Sequence, residues 1–93
     1  MIAVSGNRCS VSGPMVLGLA SALLAEGGSA LHEAETVFDL AAVTDIDSAS
    51  LAVVFGWLRL AQSQGKRLRI EHPPAEMLSL AEVYGVAELL PLA

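Results

Sequence analysis

The amino-acid sequence predicts an α/β fold whose sheet is at least partly parallel. Three observations carry that expectation. Segments of strand character alternate with segments of helical periodicity in the order β-β-α-β-α-β-α, and strand–helix–strand units imply right-handed crossovers between parallel neighbours. Glycine and proline punctuate the boundaries, at Gly6, Gly13-Pro14, Gly27-Gly28, Gly65, Pro73-Pro74 and Gly85. The chain has 93 residues with no internal repeat and no low-complexity linker, which predicts one small domain over 1–93.

Residues 2–4 and 8–11 read as a hairpin, because Ser5-Gly6-Asn7 between them is turn chemistry. Ser12-Gly13-Pro14 is expected to open a helix over 15–25, with Pro14 at the first helical position and Gly27-Gly28 as the stop. Val16, Leu19, Ala20 and Leu23 share one face at helical spacing. Residues 29–35 read as a loop. Val37-Phe38-Asp39-Leu40 reads as a buried central strand. The polar turn Thr44-Asp45-Ile46-Asp47-Ser48 follows, and then a long helix over 49–64 closed by Gly65. Arg67-Leu68-Arg69-Ile70-Glu71 alternates polar and apolar residues, the pattern of a strand with one wet face. His72-Pro73-Pro74 breaks it and starts a third helix, whose core face is Met77, Leu80, Ala81 and Tyr84. Gly85 ends that helix, and 86–90 is a last short turn or strand.

Composition narrows the function classes. The net charge is −5, and phosphate neutralisation needs a basic field, so neither nucleic acid nor an anionic membrane surface is the expected partner. The apolar runs fall short of the ~18–20 residues of a membrane span. No basic region precedes an apolar stretch at the N-terminus, so no signal peptide is read. Cys9 is the only cysteine, which excludes an internal disulfide and fits the cytoplasm. Apolar residues reach 54% and charged residues only 16%, against about 45–50% and about 25% in ordinary domains, so a partner is expected to cover some apolar surface.

The long helix has apolar residues on two sides. At about 100° per residue, Leu51, Val54, Phe55 and Leu58 form one stripe, enough to cover a sheet. Ala49, Val53, Gly56, Trp57 and Leu60 form a second stripe on the opposite side. Either another helix covers this second stripe, or it binds a partner with Trp57 as the anchor. Trp is enriched at interface centres, and Ala49 and Gly56 permit close approach, which favours the interface.

The turn before the helix concentrates polar groups. Asp47 or Ser48 is expected to accept a backbone N–H that the helix start leaves free, a contribution of about 1 kcal/mol. A serine at a helix N-terminus also tolerates a phosphoryl group, since the helix dipole favours an anion there.

These residues carry a resemblance. The strand Val37-Phe38-Asp39-Leu40, the run Val43-Thr44-Asp45-Ile46-Asp47-Ser48-Ala49-Ser50-Leu51-Ala52, Gln64-Gly65-Lys66, and Leu78-Ser79-Leu80-Ala81-Glu82-Val83-Tyr84-Gly85-Val86 resemble a STAS domain (sulphate transporter and anti-sigma factor antagonist). The likeness covers roughly the last sixty residues; the first thirty-five match in length and element order. It implies a STAS-like α/β fold, a mixed sheet with helices mainly on one face. In anti-sigma factor antagonists the hydroxyl residue after the turn Asp is phosphorylated. In the small STAS subunits of phospholipid-transport ABC systems it belongs to the surface that binds the ATPase subunit. Here that residue is Ser48, preceded by Asp47. The family usually has Gly where this chain has Ser50, which stiffens the loop.

The resemblance therefore implies a non-enzymatic subunit, at the inner face of the membrane, that binds the ATPase of an ABC-type phospholipid transporter. The alternative is an anti-sigma factor antagonist switched by a serine kinase. No cofactor is expected. His32 and His72 lack the spacing of a metal site, and Cys9 reads as a buried, inert thiol.

Overall fold

A computed structural model describes residues 1–92. β1 (Ile2–Ser5) and β2 (Arg8–Met15) form an antiparallel hairpin about Gly6, whose φ of 61° the turn requires. A 3-10 turn (Leu17–Leu19) leads into α1 (Ala20–Ser29). β3 (Glu35–Ile46) runs parallel to β2. α2 (Ala49–Ser63) returns to β4 (Arg67–Glu71), which lies parallel to β3. α3 (Ala75–Val83) and a 3-10 turn (Ala87–Leu89) follow, and Leu92 bridges to Ile70 at the β4 edge. The sheet order is β1-β2-β3-β4, mixed as the resemblance implied.

Strand alternation divides the sheet. Cys9 and Val11 of β2, Thr36, Phe38 and Leu40 of β3, and Leu68 and Ile70 of β4 point one way and are buried. The helices cover this face with Leu23, Val53, Val54, Trp57, Ala61, Met77 and Ala81. The other face carries the charges. Arg8 of β2 contacts Asp39 of β3 and Glu71 of β4, and Arg69 lies 3.6 Å from Glu35.

Three local expectations are corrected. The segment 12–15 continues β2 instead of opening a helix, because Ser12, Gly13 and Met15 pair with Ala42, Val43 and Ile46 of β3. Pro14 is thus a strand residue at a register shift, where a missing donor costs little. α1 begins later than expected and continues through Gly27 and Gly28. Trp57 lies against Gly27, where an added Cβ would overlap the indole, so tertiary packing outweighs helix propensity. β3 extends to Ile46, well past Leu40, so the turn before α2 shrinks to Asp47 and Ser48.

Candidate partner-binding site at the head of the long helix

Asp47 fixes the backbone here. Its Oδ1 accepts the Ala49 N–H at 2.8 Å and its Oδ2 accepts the Leu17 N–H at 3.0 Å. Its carbonyl accepts the Ser50 N–H at 3.0 Å. One side chain therefore caps the start of α2 and ties it to the turn after β2. The capping expected of Asp47 or Ser48 falls to Asp47.

Ser48 is the N-cap residue by position, but its side chain makes no capping bond. It is exposed. With Asp47 holding the backbone, Ser48 is left free of capping at a cleft that it lines. The cleft, about 550 Å³, lies between the head of α2 and α3, and Ile46, Asp47, Glu76, Ser79, Leu80 and Tyr84 line it around Ser48. Both charged residues among these are acidic. The first N–H groups of α2 are occupied by Asp47 and by Ser48's own carbonyl, so the helix terminus keeps little capacity for a bound anion.

The second stripe of α2 is not a partner surface as expected. Trp57 and Val53 are core residues, 0% and 1% exposed. The indole stacks on Phe38 with ring centroids 4.4 Å apart, and its Nε1–H donates to the Leu23 carbonyl at 3.0 Å. Gly56 lies under the Leu24 side chain of α1, and Leu60 packs beside Gly28 while staying 37% exposed. Ala49 is half-buried. Gly56 admits α1 instead of a partner.

The apolar surface left open lies on the other flank of α2. Leu51 is buried, but Phe55 and Leu58 are only half-covered and face Tyr84, Val86 and Leu89 across a groove. Tyr84, expected in the core of α3, is 59% exposed there. No local pattern marks this groove, because its second wall comes from residues some thirty positions downstream.

A charged cluster on the open sheet face was also missed. Ligand atoms of Asp39, Glu71 and His72 lie within 4.8 Å of one another. Arg8 already supplies the cation, bonding Glu71 at 2.6 Å and Asp39 at 3.4 Å. The Ala41 backbone N–H and His72 hold the Asp39 carboxyl below the usual range, and the Arg8 hydrogen bond does the same for Glu71. The signal available for it was the strand alternation that sends Asp39 and Glu71 to the wet face; the pairing that sets them side by side is fixed only by the fold.

Comparison with known proteins places the chain. A family model described as "Mlab, STAS domain" matches residues 3–91. The chain belongs to this STAS-domain family. A curated relative, the intermembrane phospholipid transport system binding protein MlaB of Haemophilus influenzae, is 32% identical over 60 residues. That match covers 64% of this chain and 57% of the relative. Among solved structures, the anti-sigma factor antagonist SpoIIAA in its unphosphorylated form superposes with a TM-score of 0.74 at 12% identity, over 100% of this chain and 86% of that one. An anti-sigma factor antagonist from Mycobacterium paratuberculosis gives 0.68 at 22% identity, over 99% and 81%. These structures share the STAS fold. Among the described residues no helix is long and apolar enough to cross a membrane.

Proposed function

We propose that this STAS domain is a non-enzymatic subunit that binds and stabilises the ATPase of an ABC-type phospholipid transporter of the Mla kind, at the cytoplasmic face of the membrane. The observation that carries the reading is the Ser48 site. Ser48 is exposed, no capping duty occupies its hydroxyl, and Asp47 pins the adjoining Ala49 to the turn at Leu17. Ser48 and Asp47 form the centre of the contact, and the apolar flank of α2 extends it. The MlaB relative, whose name assigns it to an intermembrane phospholipid transport system, supports the transporter setting. Such a subunit acts by binding one ATPase conformation better than another, since only differential affinity shifts an equilibrium.

The test is co-expression with the ABC ATPase and permease of the same genome's phospholipid transporter. The wild-type chain is expected to co-purify with the ATPase. Ser48→Glu, which sets a charge at the contact centre, is expected to weaken that binding about tenfold or more with an unchanged melting temperature. Elution of the wild-type chain alone would sink the proposal.

A second reading is an anti-sigma factor antagonist phosphorylated on Ser48, supported by the exposed hydroxyl and the two antagonist structures sharing the fold. Asp47 and Glu76 line the same cleft and no Lys or Arg does, so a phosphate there would act by repelling a partner. Incubation with a cognate serine kinase and intact-mass measurement separates the readings: a phosphate on Ser48 supports the switch.

A further inference from the structure

We infer that the groove beside Ser48 receives an amphipathic helix of the protein partner, with Lys or Arg at the end of that helix lying over Asp47 and Glu76. The inference rests on the protein-partner reading above and specifies the chemistry of the partner segment.

The cleft at Ser48 does not end at the head of α2. Ser48 and Tyr84 are shared with a second cavity of about 380 Å³ that adds Leu51, Phe55 and Val86. Phe55 and Val86 are shared with a third, of about 590 Å³, that reaches Gln62 and Leu89. The three form one trough along α2 from Ser48 to Gln62. At 1.5 Å per residue its length is about 21 Å, the length of a helix of about 14 residues. Its walls are the half-buried Phe55 and Leu58 on one side and Tyr84 and Leu89, 59% and 62% exposed, on the other. Val83, 79% exposed, lies on the same arc of α3 as Glu76, Ser79 and Leu80 at helical spacing. Apolar walls of this length suit the apolar face of a helix.

The charges choose among occupants and set direction. At the Ser48 end both charged residues are acidic, Asp47 and Glu76; at the far end Arg59 and Glu88 offset one another. The headgroup phosphate of a lipid would meet two carboxylates at the Ser48 end. A second copy of this chain, laid groove to groove head to tail, would set that acidic end against an end with no net charge. A partner helix with a basic end meets complementary charge and apolar surface together.

The experiment uses the full chain and labelled synthetic helical peptides of about 14 residues, with leucines on one face and either lysines or glutamates at one end. The lysine peptide is expected to bind at least about tenfold tighter than the glutamate peptide at low salt, and the difference to shrink as salt screens it. Glu76→Lys, on an exposed helix surface, should abolish that preference, and Tyr84→Ser should weaken both peptides. Equal binding of the two peptides, or a lysine preference that survives Glu76→Lys, would overturn the inference. Binding of phosphatidylglycerol vesicles that Tyr84→Ser abolishes would assign the groove to lipid and overturn it too. Failure here is separable from failure of the transporter reading. If the ATPase co-purifies equally well with Glu76→Lys, that reading stands and the basic helix is lost. If the lysine preference holds while no ATPase co-purifies, the reverse follows.

Discussion

Trp57 and Ser50 are both completely buried on the same side of α2, yet their environments are opposite. The indole has every partner it needs: Phe38 under the ring, the Leu23 carbonyl for its N–H, and the empty space over Gly27. Trp57→Ala would leave a large cavity and is expected to cost about 3–5 kcal/mol in urea unfolding. Ser50 has the reverse problem, because its Oγ is buried without a hydrogen-bond partner. An unpaired buried hydroxyl destabilises by its lost hydration, so Ser50→Ala is expected to raise stability by about 1 kcal/mol. Ser50→Gly, the residue the STAS pattern usually carries, removes the same hydroxyl but gives up about 0.5 kcal/mol of helix propensity, so its stability is expected below that of Ser50→Ala and within about 1 kcal/mol of wild type. A Ser50→Ala variant less stable than wild type would show that the hydroxyl finds a partner in solution.

At the scale of elements, α2 explains both what was legible in the sequence and what was not. Its boundaries and its apolar breadth followed from periodicity and Gly65. Its rotation did not. Val54, Trp57 and Ala61 form the centre of the buried arc, and the two stripes seen on the wheel are its flanks. A helix with apolar residues nearly all round carries no polar marker to show which flank meets α1. Gly27 was the missed marker: a glycine kept inside a helix implies a close neighbour, and the neighbour is the tryptophan. β3 was underestimated for a related reason. Ala41 and Ala42 have little strand propensity; pairing with Ser12 of β2 holds Ala42 in the strand, and Ala41 sits at the register shift with its N–H on the Asp39 carboxylate. A side-chain cap from Asp47 or Ser48 was legible because a helix start is set by local chemistry; that Asp47 makes it and Ser48 does not depends on the turn after β2. Two glycine variants test the α1–α2 packing. Gly27→Ala meets the rigid indole and is expected to cost about 3 kcal/mol. Gly56→Ala meets only the flexible Leu24 side chain and gains helix propensity, so its net effect is expected within about 1 kcal/mol of zero. Thermal unfolding that ranked Gly56→Ala below Gly27→Ala would contradict this packing.

At the scale of the whole molecule, the two faces of the sheet divide the work of holding the fold. The covered face supplies the core; the open face supplies a charge cluster that spans β2, β3 and β4 through Arg8, Asp39, Glu71 and His72. The cluster joins strands that the core already joins, so it adjusts stability and does not create it. Its pH dependence has a definite sign. Asp39 and Glu71 both titrate lower in the folded chain than in the unfolded one. As pH falls, the unfolded chain takes up these protons first. The cluster's contribution is therefore complete above the ordinary carboxylate values of about 4, and is lost as pH falls below them through the depressed folded values. Melting temperature is expected to fall as pH drops from about 5 toward 3, and the double variant Asp39→Asn, Glu71→Gln should show a flatter curve with a slightly lower value at neutral pH. Parallel curves for the two proteins would mean that the acid sensitivity arises elsewhere.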